Sequence, residues 1–315
     1  MPIVRRKPHA DILTVPFVRQ LVATQFPQWA DLPLRPLDRG WDNTTFRLGD
    51  EMTVRLPSGP RYAPQVDKEQ EWLPKLAPQL PLPIPVPVGK GTPTPEFPFP
   101  CTVRRWIEGE MAETTRIDDP SGFAAEVAAF LVALQSIDAT GGPAPGQHSY
   151  FRGCSVTFDD PSQTPPATPG NWAVQDSIAR LRDAVDGALA TEVWEAGLAA
   201  GEPDSPVWVH GDVYPSNLLV RDGRLHAVID WGCSAVGDPA CDLGIAWAFF
   251  SGASREAFRA NLSLDDAAWA RGRAWALWVP LYRLADAIES RAGDEAAFYG
   301  HLIDEILEDH KRRAG

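Results

Sequence analysis

A chain of 315 residues with 44% hydrophobic and 23% charged side chains is long enough for one large two-lobed domain or two ordinary ones, and its composition is neither disordered nor fibrous. The net charge of −13 is unevenly spread: residues 1–110 carry 14 basic and 12 acidic side chains, residues 111–315 carry 15 and 30. So acidic a second part repels nucleic-acid phosphates; it either favours a cationic ligand or simply keeps the protein soluble.

In chain order, residues 14–30 predict an amphipathic helix with Phe17, Leu21 and Val22 on one face and Pro27 limiting its run. Leu34–Leu37, Thr44–Leu48 and Met52–Leu56 read as short strands, joined by turns at Arg39–Asn43 and Gly49–Asp50. Gln65–Leu76 reads as a helix. Near-alternate prolines from Pro78 to Pro100 forbid a helix and require an extended connection, after which Phe99–Ile107 reads as a buried strand. Glu108-Gly109-Glu110 ends that strand, so the expected boundary divides a β-rich lobe, residues 1–107, from a mainly helical one, residues 108–315. Ser121–Ile137 fits a helix with Ser121 as N-cap. Gly141–Gly170 is a long Gly/Pro/Ser-rich insertion, either a lid or a loosely ordered loop. Further helices are expected over 171–200, 254–260, 265–290 and 294–312.

Cys101, Cys154, Cys233 and Cys241 show no CxxC pair and read as reduced packing residues. The longest strongly apolar run, Leu243–Phe250, is too short to span a bilayer, and Asp11 interrupts any signal-peptide core. The expectation is a cytoplasmic protein with no membrane or nucleic-acid partner; the oligomeric state is open.

The chemistry concentrates in Val209-His210-Gly211-Asp212-Val213-Tyr214-Pro215-Ser216-Asn217, followed by Ile229-Asp230-Trp231-Gly232. Asp212 can orient a hydroxyl and take its proton, while the Asn217 amide oxygen and the Asp230 carboxylate suit a hard cation. Alone, an Asp or Asn in such a loop is usually a turn residue bonded to its own backbone. The full string and its spacing are what make the chemical reading the stronger one. His210, one of 6 histidines with no H-x-x-x-H pair, reads as a brace for the loop.

The spacing reproduces the kinase catalytic loop H-R-D-x-x-x-x-N with Gly for Arg, and Asp230-Trp231-Gly232 stands where Asp-Phe-Gly follows a strand. On these residues the chain resembles the aminoglycoside phosphotransferase family, small-molecule kinases of protein-kinase-like fold, over roughly residues 34–312. Gly40–Leu48, Val54–Pro57 and Asp238-Pro239-x-x-Asp242-Leu243 add weaker support. The resemblance implies an α+β, two-lobed fold with a nucleotide-binding N-terminal lobe, ATP and Mg2+ as cofactors, and Asp212 as the catalytic Asp. It places Asn217 and Asp230 on the metal, with His210 and Asp242 as structural support. Arg55 stands where the family usually carries the Lys that touches the nucleotide phosphates, with Glu69 as its helix partner and Glu71 as the competitor. Asn43, Thr44 and Thr45 are expected to contact phosphate although the G-x-G-x-x-G pattern is missing. The main chain of Arg104–Ile107, with Arg105, Trp106 and Ile107 at its core, is expected to pair with a purine edge.

So few residues separate Gly232 from Asp242 that a phosphorylatable switch has little room, and a constitutively formed site is the expectation. The implied reaction moves the ATP γ-phosphate to a hydroxyl of a small molecule, nominally an aminoglycoside. Asp238 and the carboxylates of the C-terminal helix, Asp304, Glu305, Glu308 and Asp309, could meet such a polycation. Macrolides, amino alcohols and sugars are alternative acceptors. A non-catalytic nucleotide-binding module is the rival reading, favoured by Arg55 and opposed by retention of Asp212, Asn217 and Asp230 together. A protein kinase is a weaker third.

Overall fold

In the computed structural model, residues 12–37, 42–158 and 171–314 are described. Leu34–Pro36 (β1), Asn43–Leu48 (β2) and Met52–Pro57 (β3) pair antiparallel, and the β2–β3 turn uses Gly49 at φ +59°, where a Cβ would be strained. Helix Ala63–Leu76 (α2) follows, then Pro87–Gly91 (β4) and Cys101–Arg105 (β5) complete a five-stranded sheet in the order β1-β2-β3-β5-β4. The proline-rich stretch is thus not merely a connection. It supplies an edge strand that begins at Pro87, a position where a missing N–H donor is tolerated.

Helix Val15–Gln25 (α1) is shorter than expected: Thr14 caps it, and the chain leaves the helix at Phe26 before a 3-10 turn over Pro27–Trp29. Val18, Leu21 and Val22 of α1 pack with Phe46, Leu48, Val54 and Leu56 of the sheet into one apolar core. Because strand side chains alternate faces, Asn43, Thr45, Thr53 and Arg55 are left on the opposite face, which lines a cleft.

Beyond the short strand Glu110–Met111 (β6) the chain is mainly helical. Pro120–Gln135 (α3) starts one residue before the expected cap: Asp119 is the N-cap, its Oδ1 accepting from Gly122 N (2.9 Å), and Pro120 sits at the first helical position. The helix expected over 171–200 is two, Asn171–Leu181 (α4) and Gly187–Ala199 (α5), the second capped by Asp186. Val207–Val209 (β7), Leu218–Arg221 (β8), Arg224–Val228 (β9) and Ala235–Gly237 (β10) form two small antiparallel sheets, β6-β8-β9 and β10-β7. Ile245–Ala248 (α6), Gly252–Ala260 (α7), Asp266–Ser290 (α8) and Gly293–Ala314 (α9) complete the helical part. A second, larger core joins α3, α5, α8 and α9, built on Trp194, Trp208, Trp231 and Trp269.

All four cysteines are free. No helix among the described residues is long and apolar enough to cross a membrane.

Candidate active site

The loop after β7 is held from below by one carboxylate. Asp242, buried, accepts from His210 N (2.8 Å) and Gly211 N (2.7 Å). Gly211 has φ +80°, and a Cβ there would run into the Cys233 carbonyl and the Arg152 side chain, so no arginine fits at this position of the motif. His210 donates from Nε2 to Ile229 O (3.0 Å) and accepts at Nδ1 from Asp212 N (3.2 Å), which fixes a neutral tautomer; burial also pushes its pKa down. Its ring meets Trp231 edge-on at 4.9 Å.

A short 3-10 turn, Pro215–Asn217, then presents Asn217. Its Nδ2 donates to Asp212 O (2.9 Å) and Oδ2 (3.0 Å), which leaves Oδ1 as its acceptor face. Asp230 follows β9 in a left-handed conformation, φ +61°, a strained state characteristic of functional positions. The cleft between the five-stranded sheet and this loop has a volume of about 910 Å³ and is lined by Asn43, Thr45, Arg55, Asp212, Asn217 and Asp230 among others.

Across the cleft, Arg55 Nη2 donates to Asp230 Oδ1 (2.5 Å), and Arg55 Nη1 lies 3.8 Å from Glu69 Oε1. With its amide oriented to suit its neighbours, Asn43 Oδ1 accepts from Arg55 Nε (3.0 Å) and Nη2 (2.9 Å). Glu69 is the buried acid of α2, while Glu71 is exposed and pairs with Lys75. The tighter partner of Glu69 is nevertheless Arg104, whose Nη2 donates to Glu69 Oε2. Lys68, also buried, donates to Gly232 O (2.7 Å) and Ser234 O (2.8 Å), tying α2 to the segment after Asp230; burial lowers its pKa to about 8.

Three carboxylates face one another here. Burial and then the charge of Asp230 raise Asp42 to about 6, against the pull of Arg55. Burial raises Asp212 to about 6 as well, opposed by Arg152 and assisted by Asp230. Burial works the same way on Asp230, but Arg55 outweighs it and holds the group below the usual carboxylate range. An amide oxygen beside carboxylates that repel one another suits a hard divalent cation, with Asn217 and Asp230 best placed as its ligands. Among the described residues no group of three or more His, Cys, Asp or Glu forms a metal site on its own, so the remaining ligands would have to come from substrate or water.

Four expectations need correction. Thr44 sits on the core face of β2, buried and away from the cleft, because strand alternation puts it opposite Asn43 and Thr45. The N–H groups of Arg105 and Trp106 already donate to Val86 O (3.2 Å) and Glu51 O (2.7 Å), so these two cannot donate to a base; both residues and Ile107 do line the cleft. Asp238 is buried in a salt bridge with Arg271 (2.7 Å) and caps the turn at Ala240, so it is structural. Glu305 pairs with Arg255 away from the cleft. Residues 40 and 41 of the proposed phosphate turn, and 159–170 of the insertion, lie outside the described residues.

Sequence reasoning missed Asp42, the side chain of Arg104, Lys68, and the cleft-lining Arg61, Tyr150, Arg152 and Arg283. Lys68 stands next to Glu69, and helical spacing could have flagged it. Nothing local marks Arg152 within a Gly/Pro-rich insertion.

The chain belongs to the phosphotransferase enzyme family, whose sequence pattern matches residues 33–275. Its structure is similar to solved structures of that kind. The GDP and kanamycin complex of APH(2'')-IIIa superposes with TM-score 0.64 at 17% identity, covering 93% of this chain and 98% of that one. Macrolide 2'-phosphotransferase MphH from Brachybacterium faecium gives 0.56 at 23%, covering 91% and 97%. The streptomycin–ATP ternary complex of APH(2'')-IIa gives 0.56 at 16%, covering 92% and 98%. At these identities the likeness is one of fold, the two-lobed protein-kinase-like fold. A comparison with curated protein sequences found no match. Family and fold together make the chain a small-molecule kinase.

Proposed function

We propose that this enzyme transfers the γ-phosphate of a nucleoside triphosphate, nominally ATP, to a hydroxyl of a small molecule in a Mg2+-dependent reaction. Residues 1–107 serve as the nucleotide-binding lobe and residues 108–315 as the catalytic one. The observation that carries the reading is the triad of Asp212, Asn217 and Asp230 gathered at one cleft, with Arg55 reaching Asp230 from the opposite wall.

In this reading the acceptor hydroxyl sits against Asp212. Its oxygen forms the new bond to the γ-phosphorus as the bond to the β–γ bridging oxygen breaks, the nucleoside diphosphate leaves, and the hydroxyl proton passes to Asp212. Asn217 holds Asp212 in place through its Nδ2. Asn217 Oδ1 and Asp230 would hold Mg2+, which supplies charge neutralisation at the phosphates. Arg55 adds a fixed cation for the phosphates, with Asn43 and Glu69 setting its direction.

The test is a thermal melt with ATP and Mg2+, followed by ADP release with and without Asp212→Ala. A nucleotide-induced rise in Tm together with Asp212-dependent ADP release supports transfer. Binding without turnover on any acceptor returns the protein to the non-catalytic module.

A further inference from the structure

The far end of the cleft, beyond Asp212, is built from arginines and aromatic rings. Arg152 lies within 5.9 Å and 5.7 Å of the ring centroids of Trp275 and Trp278 on α8. Trp278 meets Tyr282 at 6.0 Å, and Arg283 lies 5.4 Å from that tyrosine ring. Arg61 lies 4.5 Å over the ring of Tyr150, two residues before Arg152. None of these three arginines makes an ion pair among the described residues, and all three line the cleft. The Asp212 carboxylate and the Arg152 guanidinium feel each other directly. Flat guanidinium groups beside aromatic rings retain donors for a planar anion, although Arg283 also bonds to Tyr282.

A second observation points the same way. Arg152 Nε and Tyr150 Oη are buried polar atoms without a hydrogen-bond partner among the described residues. Groups of that kind are rare because they cost free energy, and a ligand is the natural missing partner. Both belong to one turn in which Tyr150, Phe151 and Gly153 have φ of 50°, 58° and 84°, a run that spends backbone energy to aim these side chains inward. The turn is anchored by Val236 N donating to Pro143 O (2.8 Å) and Asp238 N donating to Gly153 O (2.8 Å), so this part of the insertion is a wall of the cleft.

Several of the carboxylates that could meet a polycation are occupied elsewhere. Asp238 is held by Arg271, Glu305 by Arg255, Asp309 by Arg273, and Asp286 and Glu289 by Arg180. Of the cleft's own acids, Asp42 and Asp230 face Arg55, and Glu110 accepts from Thr115. Asp212 lies beside Arg152, and Asp286, itself paired with Arg180, is the carboxylate near Arg283.

We propose that the acceptor is an alcohol carrying an anionic group, a carboxylate or a phosphate, bound by Arg152 and Arg283 with Arg61 closing over it. An aminoglycoside, with several ammonium groups, meets three guanidiniums there instead of carboxylates. The assignment rests on the phosphotransfer reading and names the substrate class of that site.

The test measures ADP release by the full-length protein with ATP and Mg2+ over matched acceptors: phenyllactate, glycerol 3-phosphate, their uncharged counterparts phenyllactamide and glycerol, and kanamycin. Turnover is expected in an anionic arm, with KM about tenfold or more below that of the neutral counterpart. Which anionic arm responds tells carboxylate from phosphate. Arg152→Gln and Arg283→Gln should each raise the acceptor KM about tenfold to a hundredfold, and more than they raise the nucleotide KM. Arg283 is half-buried on a helix, so its variant tests the idea even if the Arg152 variant folds poorly. Equal or better use of kanamycin or of the neutral compounds, or no turnover in either anionic arm, overturns the assignment. Asp212-dependent ATP hydrolysis without acceptor, run alongside, separates the two claims. If it persists when the anionic arms fail, only the acceptor class is wrong; if it is absent and ATP does not bind, the transfer reading itself fails.

Discussion

Asp212 carries an electrostatic cost that the fold keeps in place. Burial raises its pKa from 3.8 to about 6, so in the folded protein the charged form is disfavoured relative to the unfolded chain. The sign follows from linkage: below pH 3.8 both states are protonated and nothing is lost, and stability then falls as pH rises through about 6. Asp212→Asn should therefore stabilise the nucleotide-free protein at pH 7.5 by up to about 3 kcal/mol while abolishing transfer, and urea unfolding at pH 4 should show little difference between the two proteins. A variant less stable at pH 7.5 would mean that Asp212 serves the fold first. At this scale much was legible from the sequence, because Asp212, Asn217 and Asp230 sit in one short stretch and their spacing reflects one loop. Asp42 was not legible. Its environment depends on Arg55, which the β2–β3 hairpin brings near, and on Asp230, which lies far along the chain and follows a strand of a different sheet.

The element that most shapes the clamp is the β3–β5 pairing, which sets Arg55 opposite Thr102 and leaves Arg104, two residues further, on the same side toward Glu69. Glu69 on α2 thus serves two arginines, and strand register decides which lies closer. Propensity along the chain cannot supply that register, which is why Arg55 looked like the sole partner. Since Arg55 is also bound to Asp230, nucleotide entry must redirect at least part of its guanidinium. Arg55→Ala is expected to raise the ATP KM about tenfold to a hundredfold, and Arg55→Lys to recover a substantial part of it, measured by initial rates at saturating acceptor. An unchanged KM in Arg55→Ala would remove Arg55 from the nucleotide site. Asp238, between β10 and α8, shows the converse case of an acid that looked available in sequence. Its removal by Asp238→Ala leaves Arg271 as an uncompensated buried charge, and thermal and urea melts should register a loss of about 3–5 kcal/mol with the acceptor KM of the remaining folded enzyme unaltered.

Across the whole molecule, charge and function separate. The acidic excess of residues 111–315 left a cationic ligand and plain solubility both open; several of those carboxylates are neutralised by arginines in pairs remote from the cleft, while Arg61, Arg152 and Arg283 line the cleft. Net charge reports on the surface as a whole, and a cavity can carry the opposite sign. The two-part architecture was readable because period-two and helical patterns change at Glu108–Glu110, whereas the wall contributed by residues 141–158 was not, since its conformation rests on left-handed residues without a local signature. Phosphate transfer in the cleft is directly testable by isotopic labelling. Incubation with γ-32P-labelled ATP, Mg2+ and a pool of small-molecule alcohols should place the label on an organic product with wild-type protein and on none with Asp212→Asn. Label that stays in ATP although ATP binds, or that appears as inorganic phosphate to the same extent with wild-type protein and with Asp212→Asn, would contradict it.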